Sequence, residues 1–236
     1  AEALNIAPKL VQVASTGVIG RPLPIEKIEK KVPALVEGLS RAKSDDFAHA
    51  ILTTDAFTKQ IAVELQLNCG VIKIGGVAKG AGMIAPELVP HATMIALITT
   101  DALIAREDLL AAFKQALAVS FNSITVDGDM STNDTVYLLA SGLAKNKKMS
   151  PTDKKTFVSG LTFVFQQLAK MIVRDGEGAT KLITYKVVGA KTFKEAVKVG
   201  KAVANSLLVK TAWYGEDPNW GRLLAALGAC SVPIDP

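Results

Sequence analysis

Short apolar runs alternate with longer helical periodicities along this chain, and that alternation most narrows the folds open to it. Residues 71–77, 94–100, 123–126, 182–188 and 207–213 read as strands. Between them, residues 106–119 carry an apolar face through Leu109, Leu110, Phe113 and Leu117. Residues 151–173 open with Ser150 at the N-cap and Pro151 at the first helical position. Thr192 and Glu195 form a capping-box pattern for a helix near 193–207, and 219–229 supports a fourth helix. A strand and an amphipathic helix must each bury one face, so the mixture predicts a layered architecture. No period of 20 to 50 residues suggests a repeat. Periodicity alone leaves α/β and α+β both open.

With 236 residues, 49% of them hydrophobic, the chain can bury a substantial core. No Pro, Gly and Ser-rich stretch reads as a linker, so one unit is expected, with a smaller second lobe as an option. The net charge is +5, but the lysines are spread through amphipathic segments such as 25–31 and 191–201. A basic stripe with interleaved aromatics is missing, which argues against a nucleic-acid partner; most of these lysines read as a solvated helix face. Two cysteines, Cys69 and Cys230, suggest neither a disulfide framework nor a metal site and fit a reducing compartment. His49 and His91 stand alone, so zinc and serine-histidine-aspartate chemistry lack parts. No apolar run approaches the roughly 20 residues of a membrane span, and no signal peptide is visible in a sequence that begins with Ala.

Three segments invite chemistry. Gly75-Gly76-Val77-Ala78-Lys79-Gly80-Ala81-Gly82-Met83 follows an expected strand, yet has neither Walker nor dinucleotide spacing. It is a glycine-rich turn with one lysine, able to let a ligand approach the backbone or simply to turn the chain. Residues 127–134 place oxygen side chains at alternate positions, but an EF-hand would need Gly at Thr132 and Glu at Leu138. They read instead as a polar turn capping a helix that begins near Asn133. Thr93 sits between small Ala92 and an apolar strand, and by itself is an ordinary strand threonine.

Taken together, Ser15-Thr16-Gly17-Val18-Ile19-Gly20, Thr53-Thr54-Asp55, Lys79-Gly80-Ala81-Gly82-Met83-Ile84-Ala85-Pro86, Ala92-Thr93-Met94 and Thr99-Thr100-Asp101-Ala102 resemble, in order and spacing, the ornithine acetyltransferase family. Thr125-Val126-Asp127-Gly128-Asp129, Ser131-Thr132-Asn133-Asp134-Thr135, Arg174-Asp175-Gly176-Glu177-Gly178-Ala179-Thr180-Lys181 and Gly215-Glu216-Asp217-Pro218-Asn219-Trp220-Gly221-Arg222 continue the match over essentially the whole chain.

The resemblance implies an α/β sandwich of sheets flanked by helices, of the self-processing N-terminal-nucleophile kind. It implies cleavage between Ala92 and Thr93, giving pieces 1–92 and 93–236 that stay together as one intertwined unit and form multimers. Thr93 would then carry an acetyl group from N-acetylornithine to glutamate, with no metal or cofactor; acetyl-CoA is an alternative donor. Thr16, through its side chain, and Gly17, through its N–H, carry over as oxyanion donors. Thr53, Lys79, Thr93 and Glu177 carry over as substrate contacts. Residues 127, 129 and 215–222 are expected to be supports. The spacer Glu87-Leu88-Val89-Pro90-His91 is longer than the family's usual one, and family segments are expected beyond both ends. The cytoplasm is the expected location, or the mitochondrial matrix for a fungal source. Two rival readings are an aminopeptidase of the same wider superfamily, which would pass its acyl group to water, and an unprocessed homologue acting through protein contacts.

Overall fold

The computed structural model describes residues 1–88 and 94–233. Its strands form one four-stranded sheet in the order β1 (Lys59–Leu67), β2 (Gly70–Lys79), β3 (Ile95–Thr100) and β4 (Thr135–Ala140). The first three are antiparallel, and β4 runs parallel to β3. Around it lie α1 (Ile25–Glu37), α2 (Ser44–Ala50), α3 (Arg106–Ala118), α4 (Pro151–Arg174), α5 (Phe193–Asn205), α6 (Leu207–Tyr214) and α7 (Trp220–Gly228). The expected mixed α/β class is therefore what the chain adopts.

The sheet is built against α4. Ile72, Ile74 and Ala78 of β2, with Ala96 and Ile98 of β3, are buried at every second position, as the pleat requires. Phe157, Leu161, Val164, Phe165, Leu168 and Ile172 of α4 meet them in the same core. Two glycines set the approach. A Cβ on Gly76 would lie 2.8 Å from Leu168 Cδ1, and one on Gly160 would lie 2.5 Å from Leu65 Cδ1. Ser150 and Asp153 close a complete capping box at the start of α4. By length and composition alone α4 could cross a membrane, contrary to the reading that no apolar segment comes close, but its apolar face is the one packed on the sheet. Helices α5, α6 and α7 pack around a separate cluster of Val203, Val209 and Ala226.

Four local expectations are corrected. Residues 207–213 are helical: Ser206 accepts from the Val209 amide as N-cap, and a short buried apolar run does not distinguish helix from strand. Residues 123–126 begin with the last residue of a 3-10 turn, Phe121–Ser123, and form no ladder. Nor do residues 182–188. The helix expected near Asn133 is instead strand β4, whose Thr135, Val136 and Tyr137 suit a pleated surface. Strand β1 is an addition, although Ile61, Val63, Leu65 and Leu67 alternate with the period of a strand.

Candidate functional site around the start of strand β3

Lys79 ends β2 opposite Ile95, the first residue of β3. The glycine turn begins immediately after it. Gly80 has φ +144°, where a Cβ would also meet Ile84 Cδ1 at 2.9 Å, so glycine is required there. The far side is clamped by Asp127, which accepts from the Met83 amide at 2.6 Å and the Ile84 amide at 3.0 Å. The 127–129 turn thus supports the glycine turn rather than capping a helix. Lys201 of α5 donates to the Pro86 carbonyl at 2.9 Å, and Lys210 of α6 donates to the Val126 carbonyl.

Beneath the turn lies a network of buried charge. Lys79 is 3% exposed and donates to Thr53 Oγ1 at 2.6 Å, with Asp55 Oδ2 at 3.6 Å. Asp55 also accepts from Lys59 Nζ at 2.7 Å and from the Gly80 amide at 2.6 Å. Lys59 is fully buried and reaches Asp175 at 2.5 Å. Burial alone would raise the Asp55 carboxyl, but the Lys59 hydrogen bond and the Gly80 and Thr53 amides outweigh it and hold the pKa lowered, to about 2. Two lysines among two carboxylates balance in charge, and the pairing fixes the Lys79 ammonium at the end of the turn. An ammonium has three donors, and Thr53 takes one of those on Lys79.

The other expected residues reach this region by different routes. Residues 13–17 lie against the entry to β4: Asn133 Nδ2 donates to the Ser15 carbonyl at 3.1 Å, and the Tyr137 hydroxyl donates to the Val13 carbonyl at 2.7 Å. That brings half-buried Thr16 and exposed Gly17 beside the 131–134 segment. The Thr135 amide in turn donates to the Met94 carbonyl at 2.8 Å. Glu177 is exposed, yet its amide donates to the Ala81 carbonyl at 3.1 Å, and a Cβ on Gly82 would lie 2.8 Å from its Cδ. Its carboxylate therefore covers Gly82. Ala92 and Thr93 lie outside the described residues.

Sequence reasoning missed Asp134. Both of its carboxylate oxygens are enclosed without a hydrogen-bond partner among the described residues. Burial pushes its carboxyl up to about 8, against weaker lowering by the Met94 amide and Lys79. An acidic residue directly before an apolar strand was the available signal. Lys59 was missed as well, though it opens a strand that alternates with period two. The motif containing Asp101 is structural. Asp101 accepts from the Lys73 amide at 2.7 Å and Thr100 donates to the Lys73 carbonyl at 2.7 Å, pinning β3 to β2. Among the described residues, no three His, Cys, Asp or Glu side chains gather as a metal site. A cavity of about 540 Å³ between α4, α5 and residues 182–187 contains none of the expected site residues.

Known proteins resemble this chain along its whole length. The model of the ArgJ family matches residues 1–236. A glutamate N-acetyltransferase of Methanococcus maripaludis strain C7 is 51% identical over 236 residues, which is all of this chain and 57% of that protein. An arginine biosynthesis bifunctional protein ArgJ of Symbiobacterium thermophilum is 49% identical over 238 residues, covering all of this chain and 58% of that protein. The chain therefore spans less than two thirds of the length of these curated relatives. The crystal structure of the arginine biosynthesis bifunctional protein ArgJ from Bacillus halodurans superposes with a TM-score of 0.55 and 47% identity, over 58% of this chain and 65% of that one.

Proposed function

This chain belongs to the ArgJ family, and we propose that it carries the reacting centre of an acetyltransferase that moves an acetyl group from N-acetylornithine to glutamate in arginine biosynthesis. The observation that carries this reading is that Lys79, bonded to Thr53, lies opposite the start of β3, with Glu177 over Gly82 of the adjoining turn and residues 15–17 beside Asn133 at the entry to the neighbouring strand. Thr93 stands two residues before that strand in sequence.

In the proposed course, the Thr93 hydroxyl attacks the Ala92 carbonyl, the C–N bond breaks, and water hydrolyses the resulting ester. The freed α-amine, with an ordinary pKa near ~8, then serves as base for its own hydroxyl. Attack on N-acetylornithine forms acetyl-Thr93, and the departing ornithine nitrogen takes the proton. The amine of glutamate attacks next and restores Thr93. Both steps pass through an oxyanion, for which Thr16 and the Gly17 N–H are the proposed donors. Loss of one such donor costs about 2.7–4 kcal/mol of barrier. Lys79 suits a substrate carboxylate and Glu177 the amino group of ornithine. No cofactor enters this scheme; acetyl-CoA remains an alternative donor. We place the reaction in the cytoplasm, in a multimer of the two-piece unit.

Intact mass of the full-length protein tests the reading. Two pieces meeting at Ala92 and Thr93 are expected, with one uncut mass and no acetyl transfer in Thr93→Ala. A Thr93→Ala protein that is still cut there, or still transfers acetyl, would overturn it.

A further inference from the structure

Building on the proposed Thr93 chemistry, we infer that Asp134 is a positioning residue: its carboxylate holds the α-amine that cleavage exposes at Thr93. Buried polar groups nearly always find partners, and one that does not calls for an explanation. Among the described residues the only orphaned buried side-chain atoms are the two Asp134 oxygens and Trp213 Nε1.

Its neighbours do not satisfy it. The Met94 amide is near enough to favour the ionised form but not in hydrogen-bonding geometry. Lys79, the charged group that acts on it, comes from β2 and is already engaged by Thr53 and Asp55. Asp134 thus leaves acceptor capacity at the N-terminal end of β3, fixed in place because the next residue, Thr135, is bonded to Met94.

A newly exposed amine supplies what is missing. In its neutral form it donates one N–H to Asp134 and keeps its lone pair for the Thr93 hydroxyl. When Thr93 attacks, the hydroxyl proton passes to the amine as the C–O bond forms. Asp134 then faces an ammonium and stabilises it, as a carboxylate does for the imidazolium of a serine protease. The proton leaves on the departing ornithine nitrogen, and Asp134 stays ionised throughout. Burial holds an unpartnered Asp134 carboxyl up to about 8, so the uncut chain keeps it largely protonated and the ammonium completes the pair.

The test compares full-length wild type with Asp134→Asn, which keeps shape and hydrogen bonding but removes the charge. Cleavage is read by intact mass, kcat and KM with N-acetylornithine, the pH profile of kcat/KM, and melting at pH 7.5. The expected result is kcat lowered about tenfold or more, KM nearly unchanged, and the limb that reports the amine moved about one unit to lower pH, without loss of melting temperature. If the variant is not cut, the two pieces produced together with Thr93 as a true N-terminus give the same comparison. An unmoved limb, whether kcat is kept or falls together with melting temperature, would overturn the inference while leaving Thr93 as nucleophile. Full transfer by Thr93→Ala would overturn both.

Discussion

Lys59 has no exposed surface, and its ammonium is shared by Asp55 and Asp175. Removing the cation while keeping both acids leaves uncompensated charge in the interior. Lys59→Met is predicted to cost about 3–5 kcal/mol, seen as a melting temperature lower by at least about 6 °C. The same network sets an acid limit. The Asp55 carboxyl is lowered from 3.8 to about 2 in the folded chain, so its contribution, about 2 kcal/mol, is present above pH 4 and is lost as pH falls through about 2. Acid unfolding of Asp55→Asn should lose that component. Asp134 behaves in the opposite sense. Its raised carboxyl leaves stability intact below about pH 4 and erodes it as pH rises through about 8. Asp134→Asn in the uncut Thr93→Ala background should therefore melt higher than its parent at pH 7.5, with the difference vanishing near pH 4. Gly82 offers a third probe. A methyl there would meet the Glu177 carboxylate at 2.8 Å, and Gly82→Ala should raise KM for N-acetylornithine several-fold while melting stays unchanged.

At the scale of elements, the close approach of sheet and helix α4 depends on Gly76 and Gly160. An added methyl at Gly160 would lie 2.5 Å from Leu65 Cδ1, and overpacking of this kind costs about 1–3 kcal/mol. Either Gly→Ala change should lower the melting temperature by about 2–12 °C. Long or well-capped elements were legible before the structure: α4 from Ser150 and Pro151, α3 from its apolar face, β2 and β3 from their runs. What misled was the short apolar run. Residues 207–213 contain Val209, Thr211 and Trp213, which favour a strand, yet the Ser206 cap and packing against α5 and α7 decide for helix. The polar run before β4 suits a helix cap as well as a strand entry, because turn residues serve both ends of elements. Asp127 spends its oxygens on the glycine turn, a pairing 43 and 44 residues distant that no local pattern reveals. The candidate site residues come from family motifs; Asp134 stands in one of those motifs without a role assigned to it, because an unsatisfied carboxylate is a fact about burial and not about spacing.

For the molecule as a whole, the proposed cut would fall between β2 and β3, yet those strands are antiparallel neighbours from Ile74↔Thr100 to Lys79↔Ile95. The β1–β2 hairpin of the first piece also packs on α4 of the second. Neither piece has a complete core alone. The pieces are predicted to travel together through size exclusion and to separate only in denaturant; separation under native conditions would count against the pairing as the glue. The most direct measurement of the central claim is mass spectrometry of the full-length protein incubated with N-acetylornithine and no glutamate. The account predicts an added acetyl group on the piece that begins at Thr93, on that residue, discharged when glutamate is supplied. An acetyl group on another residue, or transfer to glutamate without any acetylated Thr93, would contradict it.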